Sequence, residues 1–164
     1  MSVAGAGRRA LMRVVLAAVG RPRGELAAAI ADYETRAARY WPLEVQAVRE
    51  EPARATPPEV VREREGERLL ERAPPGATLV ACDERGDAWT SPRFAEWLQR
   101  EREAARDVTF VIGGAYGLAP AVRTRAAVRL AVAPWTLPHD LARLVLAEQL
   151  YRAGTIVRGE PYHK

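Results

Sequence analysis

Five short runs rich in aliphatic and β-branched residues alternate along this chain with stretches of helical periodicity, and that alternation restricts the fold more than any other feature. Arg13–Val19, Leu43–Val48, Thr78–Cys82, Val108–Ile112 and Ala127–Val132 read as strands. Glu25–Tyr40 places Leu26, Ile30, Tyr33 and Ala37 on one helical face. Glu59–Arg72 reads as a charged helix contacting the core through Val60, Val61, Leu69 and Leu70, and Gly66 inside it costs about 1 kcal/mol relative to alanine. Ser91 followed by Pro92 reads as an N-cap opening a helix to Glu103, with Phe94, Trp97 and Leu98 inward. A short helix over Ala119–Thr124 and a long one after Pro138 complete the series. Glu50–Pro58 and Asp83–Thr90 read as loops. Strands alternating with helices imply an α/β fold with a mainly parallel sheet of five to six strands. Val108–Ile112 is apolar throughout, as a strand covered by helices on both faces requires.

At 164 residues the chain fits one domain with a sizeable core. Its net charge is +4, and every basic residue except Lys164 is arginine. Arginine suits phosphate, but this modest excess permits nucleic acid without demanding it. Cys82 is the single cysteine, which excludes an intrachain disulfide, and with two histidines no metal site is expected. Arg8-Arg9 precedes the apolar run Val14–Val19, which is too short for the core of an export signal, so no membrane association is expected. Residues 1–12 read as a disordered extension or a mis-called start, with Met12 as the natural start and 13–164 as the domain.

Ligands of parallel α/β sheets bind beyond the carboxyl ends of the strands. Cys82–Gly86, Gly113–Gly117 and Ala133–His139 are the loops in that position. Gly113-Gly114-x-x-Gly117 allows close backbone approach to a ligand, although a plain tight turn explains it equally well. It lacks both the G-x-G-x-x-G spacing and a Walker lysine. Asp83 is placed either to bind a ribose hydroxyl or to cap its loop. Cys82 reads as packing, with no histidine near it in sequence to activate a thiol.

The last helix carries Leu141, Leu144, Val145 and Tyr151 at helical spacing, read as its buried stripe. Glu148 falls on that stripe and pairs locally with Arg152 four residues on. Beyond it, Glu160-Pro161-Tyr162-His163 reads as a tail that docks near the ligand loops, bringing a phenol and an imidazole.

V-V-L-A-A-V-G, V-I-G-G-A-Y-G-L, T-L-P-H-D-L-A-R-L-V-L-A-E-Q-L-Y-R-A and the closing P-Y-H together resemble the RlmH family, over Arg13 to Lys164 in the same order. These are SPOUT-class methyltransferases acting on N3 of a pseudouridine in large-subunit (23S) ribosomal RNA. The resemblance implies an α/β domain with a C-terminal trefoil knot, a homodimer, a cytoplasmic location and assembled ribosomes as substrate. It implies S-adenosyl-L-methionine held by Cys82, Gly114 and the run Ala133, Pro134, Trp135, Thr136, Leu137 and Pro138. His163, Tyr162 and Arg152 are then the candidate catalytic residues, for proton acceptance, orientation of the base or charge stabilisation. Tyr116, Lys164 and the bulky Ala133-Pro134-Trp135 depart from the family pattern. Two other readings compete: a non-catalytic RNA-binding protein on this scaffold, and a nucleotide-binding enzyme with phosphate on the glycine loop.

Overall fold

The computed structural model describes residues 11–164, so the proposed extension at 1–12 lies almost wholly outside the described residues. Five strands and five helices alternate: β1 (Val14–Val19), α1 (Leu26–Ala37), β2 (Leu43–Val48), α2 (Pro58–Leu70), β3 (Thr78–Ala88), α3 (Ser91–Glu103), β4 (Val108–Ile112), α4 (Pro120–Arg125), β5 (Val128–Ala131) and α5 (His139–Val157). The strands form one sheet in the order β2-β1-β4-β3-β5, and every pairing is parallel. No sixth strand is found among the described residues.

Strand alternation sends successive side chains to opposite faces. Val14, Leu16 and Ala18 of β1 join Val80, Phe110, Leu98, Leu146 and Leu150 in a core beneath α1, α3 and α5. Val15, Ala17 and Val19 join Val111, Ala81, Leu69 and Val122 on the other face, beneath α2 and α4. The double coverage explains why β1 and β4 are buried at every position. Trp41 closes the first core and donates its indole N–H to the carbonyl of Leu150 at 2.9 Å.

Four expectations need correction. β3 does not end at Cys82: Cys82 and Asp87 both pair with Leu130, so residues 83–86 bulge out of a strand that resumes to Ala88. The N-cap of α3 is Thr90, whose side chain accepts the Arg93 N–H, while the Ser91 hydroxyl donates to Gln149. Gly66 is a packing device: a methyl group there would stand 3.0 Å from Val122 Cγ2 and 3.3 Å from Ala119 Cβ. Finally, the deeply buried face of α5 comprises Arg143, Leu146, Ala147, Leu150 and Ala153. The expected stripe of Leu141, Leu144, Val145 and Tyr151 is only half-buried, because aliphatic residues occur on both sides of this helix. Among the described residues no helix is long and apolar enough to cross a membrane.

Candidate active site

The three loops picked out by topology do converge. They line one cavity at the carboxyl ends of β3, β4 and β5, together with the first turn of α5. Cys82, Gly114, Ala133, Trp135, Thr136 and Leu137 line it, whereas Pro134 and Pro138 stand outside the lining. Pro138 instead sets the start of α5 as its N-cap residue. Trp135 is 77% exposed and stands at the rim.

Glycine is required at the cavity wall by contact. A methyl group on Gly113 would lie 2.6 Å from the Gly117 carbonyl carbon, because the loop folds back on itself through a bridge between Gly114 and Gly117. A methyl group on Gly86 would lie 2.4 Å from the Arg129 carbonyl oxygen, so the β3 bulge also needs glycine.

The charged wall was only partly foreseen. Asp83 is buried; its Oδ1 accepts the Arg85 N–H at 3.1 Å, capping the bulge, and its Oδ2 lies 2.8 Å from Arg123 Nε. Glu84 lines the cavity and accepts a hydrogen bond from the Thr136 hydroxyl, tying the β3 wall to the loop after β5. Glu84 and His139 fall inside the loops expected to hold a ligand, without having been singled out, whereas Arg123 and Ala142 lie outside those loops and were missed. The available signal was positional: α4 and α5 start directly after two of the loops, so their first turns abut the strand ends. The Cys82 thiol is pushed up to about 12, first by burial and then by the Asp83 charge. It stays protonated at neutral pH and is not a nucleophile.

The tail docks, but elsewhere. Tyr162 donates its hydroxyl hydrogen to Glu148 Oε1 at 2.9 Å and packs edge-on to Tyr151 with ring centroids 4.7 Å apart. The expected local ion pair is present, with Arg152 reaching Glu148 at 2.6 Å, and Arg152 also reaches His163 Nδ1 at 3.1 Å. None of Glu148, Arg152, Tyr162 or His163 lines the cavity. Arg152 stands ten positions along α5 from Ala142 in the cavity wall. That is about 15 Å along the axis at 1.5 Å per residue. The chain therefore gathers the candidate cofactor residues at one end of α5 and the candidate catalytic residues at the other.

The parallel sheet, the glycine-walled cavity over its carboxyl edge and the long last helix make this an α/β protein with a ligand site beyond its strand ends. The chain belongs to the SPOUT methyltransferase family: the model described as "Predicted SPOUT methyltransferase" matches residues 12–163. Within it, the chain is 64% identical over 154 residues to "Ribosomal RNA large subunit methyltransferase H" of Gemmatimonas aurantiaca, covering 93% of this chain and 100% of that protein. It is 44% identical to the protein of that name in Syntrophotalea carbinolica, over 93% of this chain and 99% of the other. A solved crystal structure of a hypothetical protein superposes with a TM-score of 0.52 at 16% identity, over 94% of this chain and 72% of that one, a likeness that shows the fold alone.

Proposed function

We propose that this chain transfers a methyl group from S-adenosyl-L-methionine to N3 of a pseudouridine in the 23S RNA of assembled ribosomes, the ribosomal part following the name of its relatives. The observation that carries the methyl-donor reading is the charge of the cavity. Asp83 and Arg123 pair in its wall and cancel, which leaves Glu84 as its net negative charge. Such a wall attracts a sulfonium cation and repels the phosphates of ATP or NAD, which disfavours the nucleotide-enzyme reading. Cys82, Ile112, Leu118, Val132 and Leu137 supply apolar contact for a purine, and the main chain of Gly114 and of 133–138 supplies its hydrogen-bonding groups. The cofactor supplies an electrophilic methyl group; the protein holds it in line with the target nitrogen.

Arg152, Tyr162 and His163 are proposed to act on the RNA base. Arginine is a permanent donor, so His163 Nδ1 accepts from Arg152 and the neutral ring carries its proton on Nε2. The Tyr162 phenol is pushed upward, mainly by burial and also by Tyr33 and Glu148, so at neutral pH it keeps its proton, which it donates to Glu148; Arg152 and His163 are left as the donors to the base. Donors suit the two carbonyl oxygens that flank N3. They hold the base and stabilise the negative charge that develops as the N3 proton leaves to water. Neither group needs to form a covalent bond to the base.

Because one protomer keeps these groups away from the cavity, the active unit is proposed to be a homodimer in which the partner's tail completes the site. The half-buried Leu141, Leu144 and Val145 of α5 offer an apolar surface for it. The segment from Ala133 through α5 is read as the threaded part of a trefoil knot, an exception to the rule against threading. Action on assembled ribosomes places the protein in the cytoplasm. The test is transfer of labelled methyl from S-adenosyl-L-methionine to ribosomes from a strain lacking this protein. Label in one pseudouridine of 23S RNA is expected. Cofactor binding without transfer would favour a non-catalytic ribosome-binding role.

A further inference from the structure

α2 carries an acid where its apolar stripe calls for a hydrocarbon. Val61, Glu65 and Leu69 repeat every four residues and are 2%, 2% and 1% exposed. Burying a carboxyl group there costs stability that leucine would not. The group is also only half satisfied: Oε1 accepts the Glu51 main-chain N–H at 3.2 Å, while Oε2 is buried with no hydrogen-bond partner.

The unpartnered oxygen faces the glycine loop. A methyl group built on Gly114 would stand 2.8 Å from Glu65 Oε2 and 3.4 Å from its Cδ, with Val19 Cγ1 at 3.1 Å. Gly114 lines the cavity and Glu65 does not, so any effect of Glu65 on a ligand passes through Gly114. The next residue, Gly66, lets α2 press against Ala119 and Val122. Glu65 and Gly66 thus fix both the start and the far end of the segment that follows β4. Burial raises the Glu65 pKa, with the charges of Glu50 and Glu51 adding to it and the Glu51 N–H and Arg68 opposing. Burial thus weighs against the charged form more than it does for an exposed glutamate.

We propose that Glu65 is a positioning residue for the methyl donor: its carboxyl group, wedged between the end of β1 and the glycine loop, sets the main chain of Gly114 in the shape that lines the cavity. This rests on the cavity being the S-adenosyl-L-methionine site. It also explains why glycine is needed at 114, since any side chain would displace the carboxyl group.

The experiment is titration calorimetry with S-adenosyl-L-methionine, paired with thermal melts, on the full-length protein and its Glu65→Gln, Glu65→Leu and Glu65→Asp variants. Glutamine keeps the size and hydrogen-bonding reach of the side chain and is expected to keep affinity within about threefold. Leucine fills the volume and is expected to melt at or above the wild-type temperature yet lose about tenfold or more in affinity, the scale of one misplaced hydrogen bond. A purely structural residue would not move stability and affinity in opposite directions. A folded leucine variant with wild-type affinity overturns the proposal. Should that variant not fold, aspartate decides: it withdraws the carboxyl group by one methylene and is expected to lose affinity where glutamine keeps it. The reverse order overturns the proposal. If the wild-type protein itself gives no heat, the methyl-donor reading fails and takes this inference with it, a result visible before any substitution.

Discussion

The hydroxyl of Tyr162 donates to Glu148 Oε1 at 2.9 Å, so the tail returns to a carboxylate fourteen positions earlier on α5. The same carboxylate takes two bonds from Arg152, which in turn reaches His163. One acid therefore orders all three of these side chains. Glu148→Ala is expected to cost about 1–3 kcal/mol of stability, the range for unsatisfying partly buried partners. It should leave S-adenosyl-L-methionine affinity near wild type and cut methyl transfer to ribosomes about tenfold or more, equivalent to losing one positioning contact. Calorimetry beside a labelled-methyl assay checks both halves, and equal losses in the two would place Glu148 in the cofactor site instead.

Replacing Gly154 by alanine inverts a familiar rule. In an exposed helix that change stabilises by up to about 1 kcal/mol. Here a methyl group would lie 2.3 Å from Tyr40 Cγ and 2.4 Å from its Cβ. Gly154 is where α5 closes onto the end of α1, so Gly154→Ala is expected to destabilise by about 1–3 kcal/mol or more through overpacking. Urea titration measures it; an unchanged midpoint would mean that Tyr40 moves aside at little cost.

Cys82 yields a pH prediction. Its thiol ionises near 9.0 in the unfolded chain but only at about 12 in the fold. Between those values the folded state holds a proton that the unfolded state has released, so this group's contribution to stability falls as pH rises from 9 toward 12. Native protein should alkylate with iodoacetamide far more slowly than an exposed thiol at pH 8–9, where a free cysteine of pKa about 8.5 is substantially ionised. Mass spectrometry of timed samples reads the rate, and Cys82→Ala should flatten the alkaline slope.

Asp83→Asn tests the charge of the cavity wall. It leaves Arg123 without the carboxylate 2.8 Å away and keeps the size of the side chain. Loss of about 1–3 kcal/mol is expected. In a domain of this size that lowers the melting temperature by roughly 2–4 °C per kcal/mol. Affinity for S-adenosyl-L-methionine should fall, and affinity for its neutral thioether product, S-adenosylhomocysteine, should fall less. Equal losses would show that Asp83 acts by shaping the bulge alone.

How far these features could be read beforehand depended on what kind of interaction made them. β2 and β4 have the residue bounds that periodicity and turn chemistry predict, and α3 starts one residue earlier than expected, since Pro42, Gly113 and Pro92 punctuate them sharply. The three cavity loops followed from strand direction alone. The return of β3 after its bulge did not, because Asp83-Glu84-Arg85-Gly86-Asp87 looks like a loop and its pairing uses only main-chain groups. α5 has aliphatic residues around most of its circumference, so spacing could not choose the buried side; Ala147, Ala153 and Gly154 chose it by allowing close approach. Glu65 was hidden in the charged run Arg62–Arg68, where one buried acid looks like its solvated neighbours. The tail's docking was legible in its Pro-Tyr-His ending, but its distance from the cavity was not, because helix length sets it.

The bulge of β3 has a mechanical consequence. It leaves the sheet at Cys82 and rejoins at Asp87, both opposite Leu130. A hoop bolted at both feet cannot swing like a door, so the acidic wall is a fixed jamb. The stretch 133–138 meets that jamb through the hydroxyl bond from Thr136 to Glu84, so a bend stiffened by Pro134 and Pro138 is braced against a rigid post.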